Sequence, residues 1–153
     1  MKKIIVSLIV GILTAAHIQA QNSDNTRAQW ISGELCNSAT NTWLIYRKTV
    51  HIDNIPRSLI ANIAADSKYW LWINGQMVVF EGGLKRTPSP YDTYYDPVEI
   101  APFLQIGENT IAVLVWHFGK SGFSHNNSGL AAFFFEATSP EINILSDDSW
   151  EFV

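Results

Sequence analysis

The chain has a single cysteine, Cys36. No intramolecular disulfide can form, so a domain exported to an oxidising compartment must hold together through its core alone. No His partner stands near Cys36 in the sequence, which reads it as an inert residue near the start of the fold rather than a nucleophile. Beyond the first twenty residues, no apolar run approaches the roughly 18 to 20 residues a membrane helix needs, so no membrane span is expected. Positive charge is also scarce, with 10 Lys and Arg against 14 Asp and Glu. That acidic balance makes a phosphate backbone a poor partner and argues against nucleic acid. No internal repeat and no amphipathic helix longer than about two turns can be drawn.

Residues 1 to 20 open with Lys2 and Lys3, run through the apolar Ile4 to Leu13 and end at Ala20 before Gln21, the three-part layout of a secretory signal peptide. The layout predicts export, to the periplasm or the cell surface, with a mature chain starting near Gln21. Losing Lys2 and Lys3 takes the net charge from -4 to about -6. Gln21 rather than a cysteine stands at the cleavage point, so a lipoprotein anchor is not expected. About 130 mature residues make one domain of ordinary size, which buries roughly two-thirds of the surface its unfolded chain exposes. The expected division is a polar lead over 21–42 and a β-sandwich over 43–153. Ser146 to Ser149 read as a turn into an aromatic strand that stops at Val153, so the sandwich is expected to be truncated there and to be the front of a longer protein.

Strands are predicted almost throughout. Leu44, Tyr46, Lys48 and Val50 alternate with their neighbours as a half-buried strand does. Ser58 to Ala65, Tyr69 to Ile73 and Gln76 to Phe80 follow, the last two joined by Asn74-Gly75, a pair that accepts positive φ at both positions of a two-residue hairpin. A Gly- and Pro-rich loop over 81–90 precedes extended structure near Tyr94 to Glu99 and a helical turn over Ile100 to Leu104. Thr110 to His117 is apolar enough to predict burial on both faces, and Leu130 to Ala137, with Phe133, Phe134 and Phe135 in succession, predicts another buried strand after a polar loop over 119–129. Many short strands between turn signals predict an all-β, antiparallel sandwich of jelly-roll type.

A resemblance enters on the order of several motifs: Tyr46-Arg47-Lys48, Ala65-Asp66, Trp72-Ile73-Asn74-Gly75, Tyr94-Tyr95-Asp96 and Gly107-Glu108-Asn109-Thr110-Ile111-Ala112-Val113. Together they resemble the galactose-binding-like domain at the front of many glycoside hydrolases. The further stretch from Val115 to His125 is similar to the N-terminal region of bacterial α-L-rhamnosidases of glycoside hydrolase family 78. The resemblance implies a following α/α toroid that carries the catalytic carboxylates. None of that toroid lies in these residues, so no catalytic residue is carried over. Its implied partners are a downstream catalytic domain of the same polypeptide and a rhamnose-containing polysaccharide. No cofactor is expected. Calcium is common in galactose-binding-like sandwiches, but no acidic cluster in this sequence pins one down.

For sugar binding the candidates are Trp70, Trp72, Tyr91, Tyr94, Trp116 and His117. Trp70 and Trp72 share one face of their strand and Tyr69, Leu71 and Ile73 the other. An exposed aromatic face can stack on the apolar side of a sugar ring. It can equally pack on a neighbouring domain or on the second sheet. Lys85, Arg86, Asp92 and Tyr95 in or just after the first long loop, and Lys120, Ser124, His125, Asn126 and Asn127 in the second, face the same choice between sugar and protein. Asn74 is assigned to its turn. Asp92 with Asp96, and Asp147 with Asp148, read as solvated turn carboxylates, since glycosidase acids must flank a bond at about 5 to 9.5 Å. His117 and His125 lack a third ligand at metal spacing. Three roles therefore compete: a non-catalytic front domain of a rhamnosidase, a stand-alone carbohydrate-binding module, and the front sandwich of another hydrolase such as a β-galactosidase-like enzyme.

Overall fold

Alternation of apolar and polar side chains organises the fold into ten strands among the described residues: β1 (Ile31–Ser32), β2 (Thr42–Ile52), β3 (Ile60–Ala65), β4 (Lys68–Ile73), β5 (Gln76–Gly83), β6 (Asp96–Glu99), β7 (Gly107–His117), β8 (Ala132–Thr138), β9 (Asn143–Leu145) and β10 (Glu151–Phe152). The structure, a computed structural model, describes residues 27–33, 40–84, 94–123 and 125–152. The expected signal segment, Cys36, Lys85, Arg86, Tyr91, Asp92 and Ser124 lie outside them. One sheet runs β1-β8-β3-β6, with β9 also on β8, and the other runs β10-β2-β7-β4-β5. Every pairing is antiparallel. The chain is an antiparallel β-sandwich of jelly-roll type, as the strand pattern predicts.

Side chains that alternate inward fill the space between the sheets. Leu44 and Tyr46 of β2, Tyr69, Leu71 and Ile73 of β4, and Ile111, Val113 and Val115 of β7 meet Ala61 and Ile63 of β3 and Phe133, Phe135 and Ala137 of β8. Each such side chain larger than alanine contributes about 1.5 to 3 kcal/mol through burial. The two core hydroxyls are bonded. Tyr46 donates to the Ala131 carbonyl at 3.0 Å, and Tyr69 donates to Asp96 Oδ2 at 3.1 Å. Burial, reinforced by the Asp96 charge and hydrogen bond, pushes the Tyr69 hydroxyl far above its ordinary range.

At one end of the sandwich the Asn74-Gly75 turn has the positive φ angles predicted for it, 51° and 78°. Asn74 also serves as a clamp. Its Nδ2 donates to the Phe103 carbonyl at 2.9 Å and to Asn109 Oδ1 at 2.8 Å, and its Oδ1 accepts from Thr110 N–H at 3.0 Å. Asn109, fully buried, answers through Nδ2 to the Gln105 and Gly107 carbonyls. The helical turn predicted at Ile100 to Leu104 is a 3-10 turn at Ala101–Phe103. Glu99 anchors it by accepting from the Ser58 hydroxyl, Leu59 N–H and Ala101 N–H, which holds its carboxyl below the usual range.

One expectation changes. β7 is not buried on both faces: its inward residues are buried and its outward ones half-buried, because apolar side chains of the same sheet, rather than another layer, surround the latter. Within the segment 21–42, Ile31 of β1 pairs with Phe133.

Candidate functional site

Three strands place tryptophans on the outer face of the β10-β2-β7-β4-β5 sheet. Alternation that sends Leu44 and Tyr46 inward sends Trp43, Ile45 and Arg47 outward. The register then lines up rows across the sheet: Trp43 opposite Trp116, Ile45 opposite Leu114 and in turn Trp70, and Arg47 opposite Ala112 and in turn Trp72. Trp43 lies nearly parallel to Trp116, with ring centroids 4.7 Å apart at 9°, and stacks on Trp70 at 5.7 Å. Phe80 of β5 meets Trp70 edge-on at 6.4 Å, and Phe118 meets Trp116 edge-on at 4.7 Å. Such pairs are worth about 0.5 to 1.5 kcal/mol each beyond their burial. Much of the face remains open to solvent, with Trp43 46%, Ile45 50%, Met77 50% and Phe80 70% exposed.

Behind this face lies a buried polar cluster that the sequence reading did not assemble. Asp66 and Ser67 sit in the β3–β4 connection, His117 at the end of β7 and His125 in the following loop, and all four are buried. The Ser67 hydroxyl donates to Asp66 Oδ1 at 2.8 Å and accepts from Phe118 N–H at 3.1 Å. His125 Nε2 lies 3.0 Å from Ser67 Oγ and 3.2 Å from Asp66 Oδ1. Asp66 Oδ2 accepts from Ser128 N–H at 2.6 Å, and His117 Nδ1 donates to the Asp66 carbonyl at 3.1 Å. Ser, His and Asp are thus together, but one and the same imidazole nitrogen meets both the hydroxyl and the carboxylate. A nucleophilic relay needs the two imidazole nitrogens to divide that work, and a serine that substrate can reach. The cluster instead ties the 118–130 loop to the β3–β4 connection. Its spacing, fifty residues and more in sequence, left no local motif to read.

The proposed sugar-binding residues therefore separate. Trp70, Trp72 and Trp116 share the outer face. His117 is turned into the interior and bonded to the Asp66 carbonyl. Tyr94 is exposed beside Tyr95, whose ring packs at 5.2 Å on Phe134 of the opposite sheet together with Trp30. Tyr91 lies outside the described residues. The second sheet is excluded as the partner of Trp70 and Trp72, because they point away from it. Trp43 and Phe80 belong to the face although the sequence reading left them out. Trp43 heads the alternating β2 pattern, so its place was readable there, whereas Phe80 is set by the bulged pairing of β4 with β5. Among the described residues, no group of three or more His, Cys, Asp or Glu is arranged to hold a metal ion. No helix among them is long and apolar enough to cross a membrane.

Among solved structures, the GH78 family rhamnosidase of Bacillus sp. GL1 matches 82% of this chain at 31% identity and a TM-score of 0.72. This chain is similar in sequence and fold to one region of GH78 rhamnosidases. That region is 13% of the Bacillus protein. The α-L-rhamnosidase of Aspergillus terreus shares the fold at 23% identity and a TM-score of 0.60, over 84% of this chain and 17% of its own. A Pleurotus ostreatus lectin solved with GalNAc shares it at 15% identity and a TM-score of 0.54, over 84% of this chain and 36% of its own. The chain thus spans well under a fifth of the rhamnosidases it matches. No protein-family model and no curated protein matches it.

Proposed function

We propose that this chain is the N-terminal accessory sandwich of an exported glycoside hydrolase of α-L-rhamnosidase type, one that supports the catalytic part and does not itself cleave sugar. The carrying observation is the match, at 31% identity, to a region that makes up 13% of a GH78 rhamnosidase. The geometry of the Asp66, Ser67 and His125 cluster supports a structural role for the titratable side chains behind the aromatic face. Export rests on the Lys2, Lys3, Ile4–Leu13 and Ala20 pattern of the sequence. Expression of the complete gene product and of residues 21–153, each assayed on p-nitrophenyl α-L-rhamnoside, tests the reading. Hydrolysis by the complete product alone is expected. Turnover by residues 21–153, or none by the complete product, contradicts it.

One observation favours a second reading, a carbohydrate-binding module. Trp43, Trp70, Trp116 and Phe80 offer aromatic surface to solvent, and such rings stack on sugars. Saturable heat of binding of a rhamnose-containing polysaccharide to residues 21–153, with no hydrolysis by the complete product, would move the assignment there.

A further inference from the structure

We infer that the outer face of the β10-β2-β7-β4-β5 sheet is a docking surface for another part of the same polypeptide, an inference that rests on the accessory-domain reading. The face is broad and mixed. Beside its tryptophans it carries Ile45, Leu114, Ala112 and Met77, in rows fixed by the strand register. Contiguous apolar surface of this kind marks an interaction site on a soluble protein.

The observations favour protein over sugar as the occupant. Aliphatic side chains present no π surface to a pyranose. A sugar site also needs polar groups that converge on the ligand, and here those at the rim are already engaged with one another. Trp116 Nε1 donates to Asn41 Oδ1 at 2.8 Å, and Lys68 is paired with Glu81 at 3.0 Å. A self-satisfied polar rim around an apolar centre is the anatomy of a protein interface.

One fact points to the same polypeptide as that protein. In the Bacillus rhamnosidase the matching region is 13% of the chain, so the large remainder is covalently tethered to its sandwich. A tether raises the local concentration of the docking segment to the order of millimolar, so that even weak apolar contacts close.

Hydroxyl-radical footprinting of the complete gene product, read by mass spectrometry, tests the inference. Phe123, fully exposed in the sandwich, sets the reference rate, and Trp43, Met77 and Phe80 report on the face. Oxidation of these three several-fold slower than their exposure in the sandwich calls for, unchanged on dilution, is the expected result. Rates that match their exposure overturn the inference. So does protection lost on dilution, which assigns the face to a second copy, or protection that appears only after a rhamnose-containing polysaccharide is added, which assigns it to glycan. A rhamnoside assay on the same preparation separates the two readings. An active enzyme with an unprotected face defeats the docking surface alone, whereas a protected face on a protein without rhamnosidase activity sustains docking and defeats the rhamnosidase reading.

Discussion

Gly82 has no room for a side chain, since a Cβ there would stand 2.3 Å from Cζ of Tyr69. The Tyr69 ring is fully buried and held by Asp96, which also accepts from Gly83 N–H at 2.8 Å, so it cannot swing aside. Gly82→Ala is expected to destabilise the domain by about 1 to 3 kcal/mol, the usual effect of overpacking, read as a lowered urea midpoint. Tyr69→Leu in the same background should recover part of the loss. Asn109→Ala should cost about 1 to 3 kcal/mol, because it removes a fully buried amide and leaves Gln105 N–H and Asn74 Nδ2 without their shared acceptor. At this scale legibility follows sequence distance. Asn74-Gly75 is readable as a turn from two adjacent residues, whereas the need for glycine at 82 comes from a ring thirteen residues away, and the Asn74–Asn109 bond joins two motifs that look independent on paper.

Strands with long alternation were readable as elements, β2 and β4 above all, because a period of two separates Leu44 and Tyr46 from Trp43 and Ile45. β1 and β9 were not, since two or three residues hold no period and are set only by the edges of β8 they complete. The two faces of the tryptophan sheet should respond unequally to truncation. Phe135→Ala, which opens a cavity between the sheets, is expected to cost about 3 to 5 kcal/mol, and Trp43→Ala, on the half-open face, about 1 kcal/mol, by chemical denaturation. Lys48 joins the strands at the sandwich edge. It donates to the Leu145 carbonyl and to Asp147 Oδ1, each at 3.0 Å. Burial works against the charged Asp147 carboxylate, but the Ser149 hydroxyl, the Lys48 ammonium and the Ser149 N–H outweigh it and hold the carboxyl below its ordinary range. A depressed folded value stabilises the fold above the unfolded carboxylate range of about 4 and loses that contribution as pH falls through the folded value. The stability gap between the native chain and Lys48→Met is therefore expected to narrow on acidification from neutral pH to below that range. A gap independent of pH would remove Asp147 from the account.

At the scale of the whole molecule the jelly roll was legible from strand count, turn spacing and the motif order, and the match to part of a GH78 rhamnosidase agrees with it. The site was legible only by halves. Alternation identified Trp70, Trp72 and Trp116 as candidates, but their gathering with Trp43 and Phe80 depends on register, which no local pattern states. His117 looked like a ligand because it stands beside the polar loop over 119–129. It faces inward because it continues the inward phase of Ile111, Val113 and Val115. Its neighbours Asp66, Ser67 and His125 are the one grouping among the described residues that imitates a catalytic set, so they offer the sharpest trial of a supporting rather than a chemical role. The measurement is kcat for rhamnoside hydrolysis by the complete gene product carrying Ser67→Ala, corrected for the folded fraction. An accessory sandwich predicts a value within about two-fold of the native one. A fall of the order of 10³ or more, the size seen when a nucleophile is removed, would contradict that role and place the chemistry in this chain.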